Sequence, residues 1–398
     1  MRVPATYLLP FLAAIACSAG LAHEGHGSGQ PAAQQQPKKK PVELGSSAAF
    51  DTAGQLWFVA VEDGRIVLRS SGDVGVTWSA PIVVTDGREP VSADGENRPK
   101  LVFGPHGQFY VTWTMPTSPR YTADIRFSRS LNGGRTWSAP ATVHENREII
   151  THRFDSIIVA RDGRIFVVWI DKRDLERHTR EGRSYRGAAI YYAVSEDEGA
   201  SWRGDFKLAD HACECCRIAV ALDVDGVPLA MWRHVFPGSE RDHALARLDP
   251  AVAEPVVERV TFDRWKVEAC PHHGPSIVLD DKGVRHAVWF NHSDGKPGAF
   301  YGRLGRGRVE GMRHLGADAE HADLAVTAAT VRVVWKRFDG TRTTIEGQVS
   351  RDGGRTWTAN TVASTSGKSD QPRLVTRGDK TWLVWRTEEK GIVVRELP

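Results

Sequence analysis

The sequence has almost no excess charge. Its 52 Lys and Arg against 49 Asp and Glu leave a formal +3 over 398 residues, too little to draw the chain to nucleic acid or to a membrane surface. It has no apolar run long enough to span a bilayer, since the one candidate, Tyr7 to Cys17, is too short and poorly flanked. Helix signals are scarce, and no nucleotide or organic cofactor is predicted. Cysteine is rare, with five residues, yet four of them fall in two short segments. What is plentiful is Val, Ile, Trp and Tyr in runs punctuated by Gly, Asp and Pro, the pattern of an all-β chain.

Residues 1–22 carry one Arg, an apolar stretch and then small residues, as an export signal does, so a periplasmic or secreted protein is expected. Cleavage after Ala22 would leave His23 first. Ala14-Ile15-Ala16-Cys17 also resembles a lipoprotein signal, which would make Cys17 a lipid anchor, but such signals favour Leu where Ala14 stands. Residues 23–41 read as a disordered Gly/Gln/Pro/Lys tether, whose His23 and His26 are taken as incidental. The folded body is expected over 42–398.

One short motif occurs four times: Ser71-x-Asp73-x-Gly75-x-Thr77-Trp78, Ser130-x-Asn132-x-Gly134-x-Thr136-Trp137, Ser195-x-Asp197-x-Gly199-x-Ser201-Trp202 and Ser350-x-Asp352-x-Gly354-x-Thr356-Trp357. Asp or Asn accepts backbone N–H bonds in a tight turn, Gly supplies a positive φ, and Trp packs under the loop. Each copy is a strand-turn-strand clasp with a structural role for Asp73, Asn132, Asp197 and Asp352. The motif resembles the Asp-box, or BNR repeat, of sialidases and related propellers, and that resemblance implies a β-propeller.

A longer module contains these clasps: an apolar strand, a Gly- or Asp-centred turn, and a second strand usually ending in Trp. Its second strands end at Ala60, Trp113, Trp169, Trp232, Trp289, Trp335 and Trp385. Spacings of roughly 46 to 63 residues suit four-stranded blades. Seven blades are predicted, with six, the usual number in sialidases, as the alternative. The last module has room for three strands, so Val42-Glu43-Leu44 is expected to add the fourth and close the ring.

In such a ring the residues just before each first strand meet around the central funnel, where a ligand binds. Those positions hold Arg98, Arg153, Asp155, Cys213, Cys215, Cys216, Arg217, Cys270, His272, His273, His321 and Arg373, while His234 and His292 follow second strands. A charged loop from Asp171 to Arg186 should overhang the same face. The Asp-box turns belong on the opposite face.

Cys213, Cys215, Cys216 and Cys270 lie at one register in neighbouring blades, with His272 and His273 beside the last. Thiolates and imidazoles together suit copper(I) or zinc, and copper is preferred in an exported protein. Disulfides are the competing reading, although Cys213 and Cys215, two apart on a strand, are badly placed to pair. Some bacterial exported Asp-box proteins are similar in pairing Cys-x-Cys-Cys with a later Cys-Pro-x-x-Gly-Pro, here Cys213 to Cys216 and Cys270 to Pro275.

Resemblance to sialidases also implies three arginines on a substrate carboxylate, a Tyr nucleophile activated by Glu, and an acidic Asp. Arg98, Arg153 and Arg373, with Asp155, can stand for part of this set. The Arg-Ile-Pro segment of the family is missing, and no Tyr has a matching Glu motif. Three functions therefore stay open: a Cys/His metal or thiol-redox centre, a sialidase-type glycosidase, and a non-catalytic scaffold for glycan or protein. The expected partners are accordingly a metal ion, a small polar ligand or a glycan, bound by a monomer.

Overall fold

The computed structural model describes residues 43–269 and 271–398, and the expected export signal, tether and Cys17 anchor lie outside them. Seven antiparallel sheets follow one another along the chain, each pairing its strands in sequence order. Blades 1 to 7 cover 46–83, 100–142, 152–212, 219–259, 276–316, 320–365 and 373–396. Six have four strands and the seventh has three.

The second strands form the thickest part of the core. Ile165–Asp171 is buried at every position, as a strand covered on both faces by neighbouring sheets must be. The Trp near the end of these strands in blades 2 to 7 is the joint between blades. Trp113 packs with Trp57 and Leu68 of blade 1, and Trp169 packs with Tyr110 and Phe127 of blade 2. Each buried aromatic of this size contributes roughly 1.5–3 kcal/mol of transfer free energy. The ring closes where Phe50 of blade 1 meets Trp382 of blade 7, with ring centroids 5.1 Å apart.

The closing strand differs from expectation. Val42 is outside the described residues, and Glu43 and Leu44 join no sheet. Instead the Gly45 N–H donates to the Ala93 carbonyl at 2.8 Å, and the Glu43 carboxylate accepts the Ala93 N–H. A Cβ on Gly45 would stand 2.5 Å from that carbonyl oxygen, so glycine permits the approach. The entering chain is thereby tied to the connection between blades 1 and 2, and Asp370 then receives it by accepting both the N–H and the hydroxyl of Ser46 at 2.9 Å.

All four Asp-boxes connect a third strand to a fourth. In the last, Asp352 accepts from the Thr356 N–H at 2.9 Å and from its hydroxyl at 2.7 Å, while Ser350 Oγ accepts the Gly354 N–H. The glycine has a second function. Gly354 has φ +88°, and a Cβ there would lie 2.3 Å from Tyr301 Oη of the preceding blade. The Asp-box is thus a turn and an inter-blade contact at once. The one α-helix among the described residues, Arg173–Arg180, was not anticipated. It lies in the Asp171–Arg186 loop, and no described helix is long and apolar enough to cross a membrane.

Candidate functional site at the axial mouth

Two spaces lie around the axis. A channel of about 250 Å³ is lined by first strands of blades 1 to 5 and 7. A wider pocket of about 670 Å³ contains Asp94, Glu96, Asn97, Tyr121, Thr151, Arg153, Phe154, Lys172, Glu214, Cys215, His272, His321 and Gln371. Glu96 lines both, because it belongs to a polar plug between them.

The plug is built around two buried arginines. Arg217 donates to Glu96 at 3.4 Å, Gln371 at 3.3 Å, the Pro275 carbonyl at 3.0 Å and the Ala322 carbonyl at 2.9 Å. Arg98 donates to the Gly95 and Ser46 carbonyls, to Asp370 at 3.0 Å and to Gln371 at 2.8 Å. For Glu96, burial is the largest effect and pushes the carboxyl upward. The Arg217 charge and the His321 hydrogen bond, with further positive neighbours, outweigh it and hold Glu96 well below the usual range. Glu96 is therefore a buried carboxylate.

The pocket above the plug keeps groups available to a ligand. Arg153 has one carboxylate partner, Asp94 at 3.6 Å, and lies over the rings of Phe154 at 4.8 Å and Tyr121 at 6.0 Å. Lys172 pairs with Glu214. Tyr121, 60% exposed, has φ +71° and Phe154 φ +58°. Left-handed backbone at bulky residues stores strain of order 1–3 kcal/mol, which clusters at ligand sites. His321 Nδ1 is 3.4 Å from Glu96 and 3.4 Å from His273 Nδ1. Burial, then the neighbouring His321, pushes His273 down to about 3, so it is a neutral imidazole.

The residues expected around the funnel divide into three groups. Arg153, Cys215, His272 and His321 line the mouth pocket. Arg98 and Arg217 are plug residues, and Arg373 lines the channel, 3.9 Å from Asp323. The three arginines named for a sialidase clamp are therefore not gathered on one open face. Asp155 is fully buried, accepting from Thr112 and Thr114 and pairing with Lys100. His273 packs on Phe290 at 4.2 Å. His234 accepts from the Trp232 indole N–H at 3.3 Å, and His292 is exposed beside Trp265; neither lines the pocket.

Cys213, Cys215 and Cys216 lie in a turn rather than on a strand, which removes the alternation that would splay their side chains. All three are buried, and Cys213 Sγ is 3.8 Å from Cys215 Sγ and 3.6 Å from Cys216 Sγ. The Cys213 contact and burial push the Cys216 thiol up to about 12. Cys270 lies outside the described residues. Asp124, His144 and His152 also have ligand atoms within 4.8 Å of one another. The two rings are stacked, however, with centroids 3.9 Å apart and planes 23° apart, so their in-plane lone pairs run side by side instead of converging on an ion.

Glu96 and Tyr121 were the residues missed as site components. Glu96 precedes a first strand just as Arg98 does, so its register was the available signal.

A BNR/Asp-box repeat model matches residues 348–359, the fourth clasp. No curated protein matches the chain by sequence. Among solved structures it is similar to a PL25 ulvan lyase, with TM-score 0.54 and 10% identity over 88% of this chain and 90% of that one; the lyase is also known bound to a GlcA-containing saccharide. It is similar to the Hadza microbial sialidase Hz136, with TM-score 0.51 and 15% identity over 84% and 74%. It is also similar to a variant of the α-L-arabinofuranosidase arb93a from Fusarium graminearum, bound to an iminosugar inhibitor, with TM-score 0.50 and 14% identity over 77% and 92%. The chain is a seven-bladed β-propeller with Asp-box turns, and these structures share its propeller fold.

Proposed function

We propose that this is an exported, glycan-active propeller whose mouth pocket takes an acidic saccharide. The observation that carries the reading is Arg153. It stands in a pocket wide enough for a sugar residue, beside the exposed Tyr121 ring, with a single long contact to Asp94. A guanidinium so placed can bind a sugar carboxylate in a fork, and a tyrosine face suits the apolar side of a pyranose. The fold neighbours named for ulvan lyase, sialidase and arabinofuranosidase activities support a saccharide as the ligand class.

For bond cleavage the pocket offers His321 as the proton carrier. Glu96, kept ionised by the plug, orients its imidazole, the arrangement required of a positioned acid or base. The sialidase-type variant has less support, because Arg98 is committed to carbonyls and carboxylates within the plug.

The test is calorimetric titration with uronate-containing, sialylated and neutral oligosaccharides, alongside product analysis. An acidic saccharide should bind with Kd below about 1 mM. Arg153→Ala should weaken it at least tenfold, on the order of 1.4 kcal/mol, and His321→Asn should remove turnover while sparing binding. Equal binding by Arg153→Ala, or no preference for acidic sugars, would overturn the reading.

A further inference from the structure

We propose that Cys213, Cys215 and Cys216 hold one soft metal ion, copper(I) or zinc(II), in the wall of the mouth pocket.

The first argument is spacing. Two thiolates on one ion with metal–sulfur bonds of about 2.3 Å and tetrahedral angles are about 3.8 Å apart. The measured Sγ separations from Cys213 are 3.8 and 3.6 Å, and all three sulfurs lie within 4.8 Å of one another. The turn that carries them is anchored by the Cys213 N–H donating to the Arg233 carbonyl at 2.9 Å. The sulfurs are therefore placed by backbone, before any ion arrives.

The second argument is charge. Arg233 is fully buried, yet its guanidinium donates only to the carbonyls of Arg241, His273 and Phe290. No carboxylate among the described residues pairs with it, and its Nε has no hydrogen-bond partner. A buried cation without an anion is costly. Three thiolates on copper(I) carry a net charge of −2, and on zinc(II) −1, so either complex supplies the missing anion. Loading releases the thiol protons to solvent, and no electron is transferred.

The third argument is access. Cys215 lines the mouth pocket together with His272, so an ion reaches the sulfurs from the open face. A three-sulfur set is the soft donor chemistry that selects copper(I) and zinc over harder cations.

The experiment uses the full chain, reduced with a phosphine and exposed anaerobically to copper(I) or, separately, to zinc(II), with excess removed by a chelator. About one ion per chain should remain, with a thiolate-to-metal absorption band. Cys215→Ser and Cys216→Ser should each lower retention at least about tenfold and lose the band, whereas His23→Ala/His26→Ala should keep both. Retention of either ion supports the site, and the tighter one names the metal. If the serine variants fail to fold, loaded wild-type protein should protect the three cysteines from iodoacetamide, as read by peptide mass. No retained ion after reduction, retention unchanged in the serine variants, loss with the tail histidines, or unprotected cysteines would each overturn the proposal. Saccharide titration of metal-free protein separates this outcome from that of the glycan reading.

Discussion

Removing the Arg217 guanidinium should loosen the whole ring. Its partners come from four places in the chain: Glu96 before blade 2, Pro275 before blade 5, Ala322 in blade 6 and Gln371 before blade 7. In Arg217→Ala the carbonyls of Pro275 and Ala322 lose their buried donor, and the Glu96 carboxylate loses its strongest cation. Breaking a buried pair from one side costs about 3–5 kcal/mol. Unfolding entropy near 2.1 cal/mol/K per residue gives about 0.7 kcal/mol/K for some 350 folded residues, so the melting temperature should fall by about 4–7 °C. The acid limb provides a second readout. Glu96 has a folded value below its ordinary 4.5, so its contribution is complete above about pH 4.5 and fades as pH falls through the folded value. Glu96→Gln should flatten that limb. In a double-mutant cycle with Arg217→Met, the loss should be smaller than the sum of the single losses by at least about 1 kcal/mol. Melting of Arg217→Ala within about 1 °C of wild type, or an additive cycle, would show that the plug is not a coupled unit.

Three other outcomes follow from the same geometry. His144 is fully buried, and burial, then the nearby His152, pushes it down to about 3 from 6.5. Its stabilisation is therefore present above pH 6.5 and declines toward pH 3, and urea unfolding of wild type against His144→Asn should differ in slope by about 2 kcal/mol between pH 7.5 and pH 5. Gly354→Ala would place a Cβ 2.3 Å from Tyr301 Oη, itself bonded to His286 at 2.7 Å, and should lower stability by more than about 1 kcal/mol in denaturant titration. Asp352→Ala removes bonds to Thr356, Arg355 and Ser350; it should lower the melting temperature while leaving saccharide binding at the mouth unchanged, as titration will read.

The blades were legible because their signals are periodic. Four Asp-boxes and repeated Trp-terminated strands mark the blades, and each box was expected as the strand-turn-strand clasp it forms. The cysteine triplet was legible as a cluster but not as a turn, since Cys213-Glu214-Cys215-Cys216 runs straight on from the strand Arg203–Ala212, and no residue in it marks the break. Glu96 was hidden for a different reason. In Asp94-Gly95-Glu96-Asn97-Arg98 a glutamate reads as turn surface in spite of its register before a first strand, and its closeness in space to Arg217, 121 positions away, makes it part of the axis.

The arginines and aspartates credited to a ligand have a shared physical explanation. The first strand of each blade is a sheet edge, those of blades 1 to 5 and 7 lining the channel, and its free backbone groups need partners. Polar side chains supply them, mostly from neighbouring blades and in one case from the same blade. Ser47 donates to the Pro99 carbonyl, Ser156 to the Ile218 carbonyl, Lys100 to the Arg98 carbonyl, and Arg217 to those of Pro275 and Ala322, while Asp323 accepts the Leu374 N–H. Charged residues immediately before a first strand are consumed in this sealing, as Arg98 and Arg217 illustrate. Side chains on the connections farther out, such as Tyr121, Lys172 and Glu214, escape this demand, as does Arg153 at the start of the strand His152–Val159. The axis of this propeller thus separates structure from recognition by depth, and ligand specificity should follow substitutions in the connections and at the mouth-facing starts of first strands, where Arg153 and His321 stand, rather than deeper in those strands.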